Sequence, residues 1–255
     1  MKTAVVANIC ACLNYAGHLR ALLFFTAGLA LGVAPGFAQT AAAQQNSVTA
    51  IDILLDSLSQ YLKERPVSPH SISLVADSDG LVVAHPDTQQ ALRVSRVAER
   101  LYADVQPRAG AEARRELLWA AALHEIGMMI SHHDHHRHSA YLLAHADAAG
   151  FSQSQMRRVS ELVLGQRGGL RKVENGLTRD DFVWQLLCLR LGVIGCHARA
   201  DVDSDAIRLS RQGAAAAELA FEPGWGEAHP RTRHLLAEEI AQWERGGPLK
   251  IALRA

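Results

Sequence analysis

A chain of 255 residues with 26 Lys and Arg against 26 Asp and Glu carries no net charge, so no global field draws it to nucleic acid or to an anionic membrane. Aromatic residues make up only 5% and alanine is abundant, which favours a helical protein over a sheet sandwich. The length allows one large domain or two small ones. Cys10, Cys12, Cys188 and Cys196 make no disulfide framework. The second pair lies eight residues apart in one predicted helix, about 12 Å by helical rise and beyond bridging reach.

Residues 1–38 read as a leader. Arg20 precedes an apolar run from Ala21 to Ala34, and Gly36 and Ala38 are small residues suited to a cleavage site. The run is short for a membrane-spanning helix. A functional leader at Arg20–Ala38 implies export or membrane association. Residues 39–88 begin with a polar Ala/Gln linker. Ile51, Leu54, Leu55, Leu58 and Leu62 then share one helical face, ended by Pro66 and Pro69. From Ser71 to Ala84 two short apolar runs flank Asp77-Ser78-Asp79-Gly80, a turn signal that predicts a β-hairpin. This run is similar to the end of an extracytoplasmic Cache-type sensor domain, but is too short to be one whole.

From Gln89 the pattern is helical. Leu92, Val94, Val97, Ala98, Leu101 and Val105 form one stripe, and Pro107 to Gly110 ends it. A second helix is predicted over Ala111 to Ile130, with Leu117, Leu118, Ala121, Ala122 and Ile126 inward. Ser131 to His136 reads as a loop. Arg137 to Ala149 reads as a third helix, with Tyr141, Leu142 and Ala149 inward. Ser152 and Gln155 give a capping-box signature for a fourth helix ending at Gly165. Gly168-Gly169 opens a basic turn. Asp180 or Asp181 caps a helix from Phe182 to Cys196 that is apolar on most sides and therefore central. Ile207 to Leu209, with Ala220 and Phe221, read as short strands. His229-Pro230 precedes a last helix, Thr232 to Arg245, ended by Gly246-Gly247-Pro248.

Six of the 13 histidines fall between His124 and His138, and His145 follows. Neutral imidazole is the commonest metal ligand, and Glu125 beside His124 suits divalent ions. His124-Glu125 sits where a metal-dependent phosphohydrolase would carry a His-Asp doublet. Such a site also needs a His from an earlier helix, and Ala91 to Val105 contains none. His132, His133, His135 and His136 lie in the predicted loop without helical spacing. They would be mostly neutral at pH 7 and bind anions better below about 6.5. His138 and His145 are two turns apart, too far to chelate one ion together. The alternative to a metal site is a solvated turn between two core helices.

The stretch L-H-E-I-G-x-x-I-S-H-x-x-x-x-R-H-S-A-Y-L-L-x-x-A-D-x-x-G-F-S resembles the C-terminal domain of the Ppx/GppA family of exopolyphosphatases and guanosine pentaphosphate phosphohydrolases. The likeness continues in L-V-L-G-Q-R-G-G-L-R-K at Leu162 to Lys172, in Asp181 to Ile194, and around His229 and Trp243. It runs over residues 89–255. It implies a mainly α, degenerate HD-like helical bundle that does not carry the hydrolytic chemistry, lies in the cytoplasm and contributes to dimerisation. The resemblance puts that chemistry in an actin-like half with glycine-rich phosphate loops, and residues 1–88 offer no counterpart. Gln166 stands where the resemblance implies a His.

Arg157, Arg158, Arg167, Arg171 and Lys172 form a basic set, with Arg137 and His138 in its neighbourhood. The guanidinium fork suits phosphate oxygens, and Gly168 and Gly169 let backbone N–H groups approach an anion. The resemblance implies that this part helps line a basic path for polyphosphate. The expectation is therefore a polyphosphate- or phosphorylated-nucleotide-binding domain using Arg137, His138, Arg167, Arg171 and Lys172. It would need no cofactor, form a homodimer, work beside a separate catalytic subunit and bind no nucleic acid. The alternatives are a phosphohydrolase using His124, Glu125, His132 and His133 with Mg or Mn, and an exported sensor-fragment fusion.

Overall fold

The computed structural model describes residues 5–10, 71–76, 82–84, 88–146 and 151–254. The chain divides into two units. One comprises Met1–Ser78, Val82–Thr88 and Ala146–Gly150; the other comprises Asp79–Leu81, Gln89–His145 and Phe151–Ala255.

In the first unit, strands β1 (Val5–Cys10), β2 (Ser71–Ala76) and β3 (Val82–Ala84) form an antiparallel sheet in that order. The predicted hairpin is β2–β3. The third strand was not foreseen: Val5 pairs with Ala76 and Cys10 with Ser71. The Arg20–Ala38 run and the Ile51–Leu62 helix lie outside the described residues. No helix among the described residues is long and apolar enough to cross a membrane.

The second unit is mainly helical. Helix α1 (Thr88–Val105) buries Val94, Val97, Ala98, Leu101 and Val105, the expected stripe. Helix α2 (Ala111–Leu123) buries Leu117, Ala121 and Ala122, but Leu118 is half-buried and Trp119 takes the inward place, edge-on to Phe151 at 4.6 Å. It stops at Leu123, not Ile130, and a 3-10 turn follows over Ile126–Met129. Close packing explains the stop. A Cβ on Gly127 would lie 2.3 Å from both the His135 carbonyl oxygen and the Ser139 nitrogen. The Gly127 N–H donates to the buried Ser139 hydroxyl at 2.8 Å, which in turn donates to the His124 carbonyl at 2.9 Å.

Helix α3 (His135–His145) begins two residues before the expected start, because Asp134 at φ 54° turns the chain and its carbonyl accepts from Arg137 N–H at 2.8 Å. His135 and His136 are therefore buried helical residues, which corrects the solvated loop. Tyr141 is corrected too. It is 55% exposed, its ring 4.5 Å from His145 one turn on, because Ser139, Ala140 and Leu143 hold the inward face. Helix α4 (Gln153–Gly165) carries the expected capping box: Gln155 N–H donates to the Ser152 hydroxyl at 3.2 Å, and Ser152 N–H to the Gln155 side chain at 2.9 Å.

Helix α5 (Asp180–Gly195) is the core, with Phe182 through Gly192 buried. Neither aspartate caps it: Arg179 is the N-cap, and both acids sit in the first turn, where the helix dipole favours them. Gly192 lets α5 cross α1 closely, since a Cβ there would lie 3.1 Å from the Val94 carbonyl oxygen. The strands expected near Ile207 and Phe221 are β4 (Ile207–Arg211) and β5 (Ala216–Phe221), antiparallel. A short helix α6 (Trp225–Ala228) and helix α7 (Pro230–Gly246) then return the chain to β6 (Lys250–Arg254), parallel to β5. Helix α7 starts at Pro230, not Thr232, since proline is favoured at the first helical position. Helix α6 and strand β6 were not foreseen.

Candidate functional site

The ends of α1, α2 and α4, with α5 and α7, enclose a cavity of about 520 Å³. His124, at the end of α2, is 2% exposed. Its Nδ1 lies 2.6 Å from the Ala121 carbonyl, so Nδ1–H donates and Nε2 keeps its lone pair. Burial lowers the His124 pKa against the opposing pull of Glu125, which keeps the ring neutral at pH 7. Two glutamines share the cavity. Gln90 Nε2 donates to the Cys196 carbonyl at 3.0 Å, and Gln166 Nε2 to the His124 carbonyl at 2.7 Å. These carbonyls fix both amides. Among the described residues, Gln90 Oε1, His124 Nε2 and Gln166 Oε1 meet no hydrogen-bonding partner.

Two of the carboxylates around the cavity are paired with arginines. Arg199 Nη2 donates to both oxygens of Glu125 at 2.9 Å. Arg190, 1% exposed in α5, grips Glu239 of α7 through Nε and through Nη2 at 2.6 Å. It also donates to the carbonyls of Gly165 at 2.5 Å and Gly168 at 3.0 Å. Trp243 Nε1 donates to the same Glu239 at 2.6 Å. Arg190 thereby ties the turn after α4 to the core.

That turn carries the basic residues. Gly168 sits at φ +72°, which glycine adopts without strain. Arg167 is exposed at its crest, and Arg171 is exposed on a 3-10 turn over Leu170–Val173. Lys172 is half-buried and donates to the Arg167 carbonyl. Burial, then the charges of Arg190, Arg137 and Arg167, pull its pKa down to about 8. Burial, then Lys172 and Arg167, bring His136 to about 4. His135 is lowered as well, by burial first and Arg167 second. Burial holds both histidines below the usual imidazole range, which works against the anion recruitment on acidification that the loop reading expected.

The structure thus brings Arg137 and Arg167 within electrostatic reach of Lys172, with Arg171 on the same turn. His138 is half-buried on α3. Arg158 leaves the expected basic set: Glu112 at 2.7 Å and the buried Glu116 both hold it. His132 lines the cavity, whereas His133 is exposed with Nε2 3.7 Å from Asp134.

A family model described as Ppx/GppA phosphatase, domain III, matches residues 83–240. The chain belongs to the Ppx/GppA domain III family. Over 166 residues it is 32% identical to a guanosine-5'-triphosphate,3'-diphosphate pyrophosphatase of Pseudoalteromonas translucida, covering 62% of this chain and 32% of the relative. Over 175 residues it is 31% identical to the protein of the same name from Pseudoalteromonas atlantica, covering 64% and 34%. The chain spans about a third of the length of these curated relatives.

Among the described residues no group of three or more His, Cys, Asp or Glu side chains is placed to hold a metal ion. Arg199 covers both Glu125 oxygens, and 3.9 Å separates His124 Nε2 from Glu125 Oε1. Sequence reasoning missed Gln90, Arg190 and Glu239. Their signal was present: Gln90 begins an apolar stripe, and Arg190 is a lone charge in the apolar run from Phe182 to Ile194.

Proposed function

We propose that this domain III chain binds a phosphate-rich anion, polyphosphate or a phosphorylated nucleotide, on the turn carrying Arg167, Arg171 and Lys172 with Arg137 and His138 beside it. It acts as an accessory or dimerising module. The observation that carries this reading is the crowding of like charge at the glycine turn. Arg137, Arg167 and Arg190 all act on Lys172, while Asp134 is the one carboxylate among its main influences. A polyanion would supply the missing countercharge, and Arg167 and Arg171 present guanidinium forks to solvent for it. The names of the two relatives, pyrophosphatases of a guanosine polyphosphate, agree with a phosphate-rich ligand.

The test is charge reversal of Arg167, Arg171 and Lys172 together in the full 255-residue chain. Polyphosphate affinity is expected to fall by roughly tenfold or more and its salt dependence to flatten, since the released counterions scale with the phosphates neutralised. Unchanged affinity and slope would refute the assignment.

A further inference from the structure

Cations hold back three carbonyl oxygens of the glycine turn after α4. Lys172 Nζ donates to the Arg167 carbonyl. Arg190, 1% exposed in α5, takes the other two: Nη1 donates to Gly165 at 2.5 Å and Nη2 to Gly168 at 3.0 Å. Carbonyl oxygens repel an anion, so a turn that receives one has to face them away from it.

A trans peptide unit sets its N–H opposite its C=O. No peptide bond among the described residues is cis. With the Gly168 oxygen drawn toward Arg190, the Gly169 N–H therefore points away from that guanidinium. Gly169 is exposed, and nothing lies within 4 Å of the place its Cβ would take. The Lys172 ammonium lies 3.7 Å from the corresponding place on Gly168. An anion on the turn would meet a backbone donor with a cation beside it.

The support behind the turn is fixed from two sides. Arg190 spends its remaining bonds on Glu239, through Nε and through Nη2 at 2.6 Å, and Trp243 Nε1 holds the same carboxylate at 2.6 Å. Just past α7, a Cβ on Gly247 would lie 2.4 Å from Trp243 and 3.1 Å from Leu170, so the end of that helix also abuts the basic 3-10 turn. A buried ion pair adds little net stability over apolar side chains of similar volume. What this one adds is direction, because an apolar side chain at position 190 would leave both carbonyls free to swing outward.

We propose that Arg190 is the positioning residue of the anion-binding turn: held by Glu239, it draws the Gly165 and Gly168 carbonyls inward and presents the Gly169 N–H to a phosphate group. This rests on the basic-turn reading and adds to it a buried arginine that does not itself touch the ligand.

The experiment measures polyphosphate affinity in three variants of the full chain. Gly169 has φ −63°, proline's own value, so Gly169→Pro removes the N–H at an unchanged φ, whereas Gly169→Ala keeps it. At matched thermal midpoints Gly169→Pro is expected to bind about fivefold or more weakly than Gly169→Ala, the loss of one charge-assisted hydrogen bond. Arg190→Met with Glu239→Leu should stay about tenfold below the wild-type affinity even where its thermal midpoint is recovered. An arginine with a merely structural role would return affinity together with stability. If Gly169→Pro unfolds, the double variant decides, and the reverse holds. Equal affinity in the two Gly169 variants, or wild-type affinity in the double variant, would overturn the proposal; a loss of binding on charge reversal would then still uphold the basic turn. A wild-type chain that binds no polyphosphate would sink both.

Discussion

Lys172 is the residue whose ionisation the proposed polyanion site would move. Burial and three arginines hold its pKa at about 8, well below the ordinary lysine value of 10.5. It is charged below that value and loses its charge as pH rises through it. Polyphosphate affinity should therefore fall several-fold between pH 7 and pH 9, with binding raising the Lys172 pKa. Lys172→Arg should remove that dependence, since a guanidinium stays charged. A flat profile in the wild-type chain would show that Lys172 does not meet the ligand. Arg190 belongs to the same scale but to stability. Replacing it by Met leaves Glu239 buried and uncompensated, at a cost of about 3–5 kcal/mol by urea unfolding. Arg190→Met with Glu239→Leu should recover most of that loss; equal destabilisation in both variants would contradict the pairing.

The element that shapes the cavity is the joint between α2 and α3. Gly127 is its key, because a Cβ there meets backbone atoms of α3 at 2.3 Å and no side chain can yield to make room. Gly127→Ala should destabilise the fold by about 3 kcal/mol and move His124 with it; a loss under about 0.5 kcal/mol would refute the close approach. The sequence made the elements legible where periodicity was strong. The α1 stripe, the Ser152/Gln155 box and the apolar α5 follow local rules. Tertiary packing decided the rest. Helix α2 stops at Leu123 because α3 crosses at Gly127, and Tyr141 turns outward because Ser139 and Leu143 already fill the inward face. Strand β6 was hidden because five residues after Gly246-Gly247-Pro248 become a strand only when β5 is beside them.

At the scale of the molecule, three buried histidines couple stability to pH. His124, His135 and His136 all have lowered pKa values, His136 at about 4. Below the unfolded value of about 6.5 the unfolded chain binds protons that the folded chain refuses. Stability therefore declines as pH falls from about 6.5 toward 4, where His136 takes up its proton in the folded state. The thermal midpoint should drop by several degrees between pH 7 and pH 4.5, and less in His136→Gln. A midpoint that rises with acid would contradict the burial. Of the candidate site, the sequence revealed the basic turn and the histidine cluster as residue types. The cavity was not readable, because Gln90, His124 and Gln166 are brought together from positions 34 and 42 residues apart only by the crossing of three helices.

On the proposed function, this chain holds a phosphate-rich anion without cleaving it. Polyphosphate binding by the purified full chain, with phosphate release followed in the same tubes with and without Mg²⁺ or Mn²⁺, tests it directly. Saturable, salt-sensitive binding with no release under any condition is the predicted result. Absence of binding, or metal-dependent release lost in His124→Ala, would contradict it and return the His124-Glu125 doublet to the centre of the chemistry.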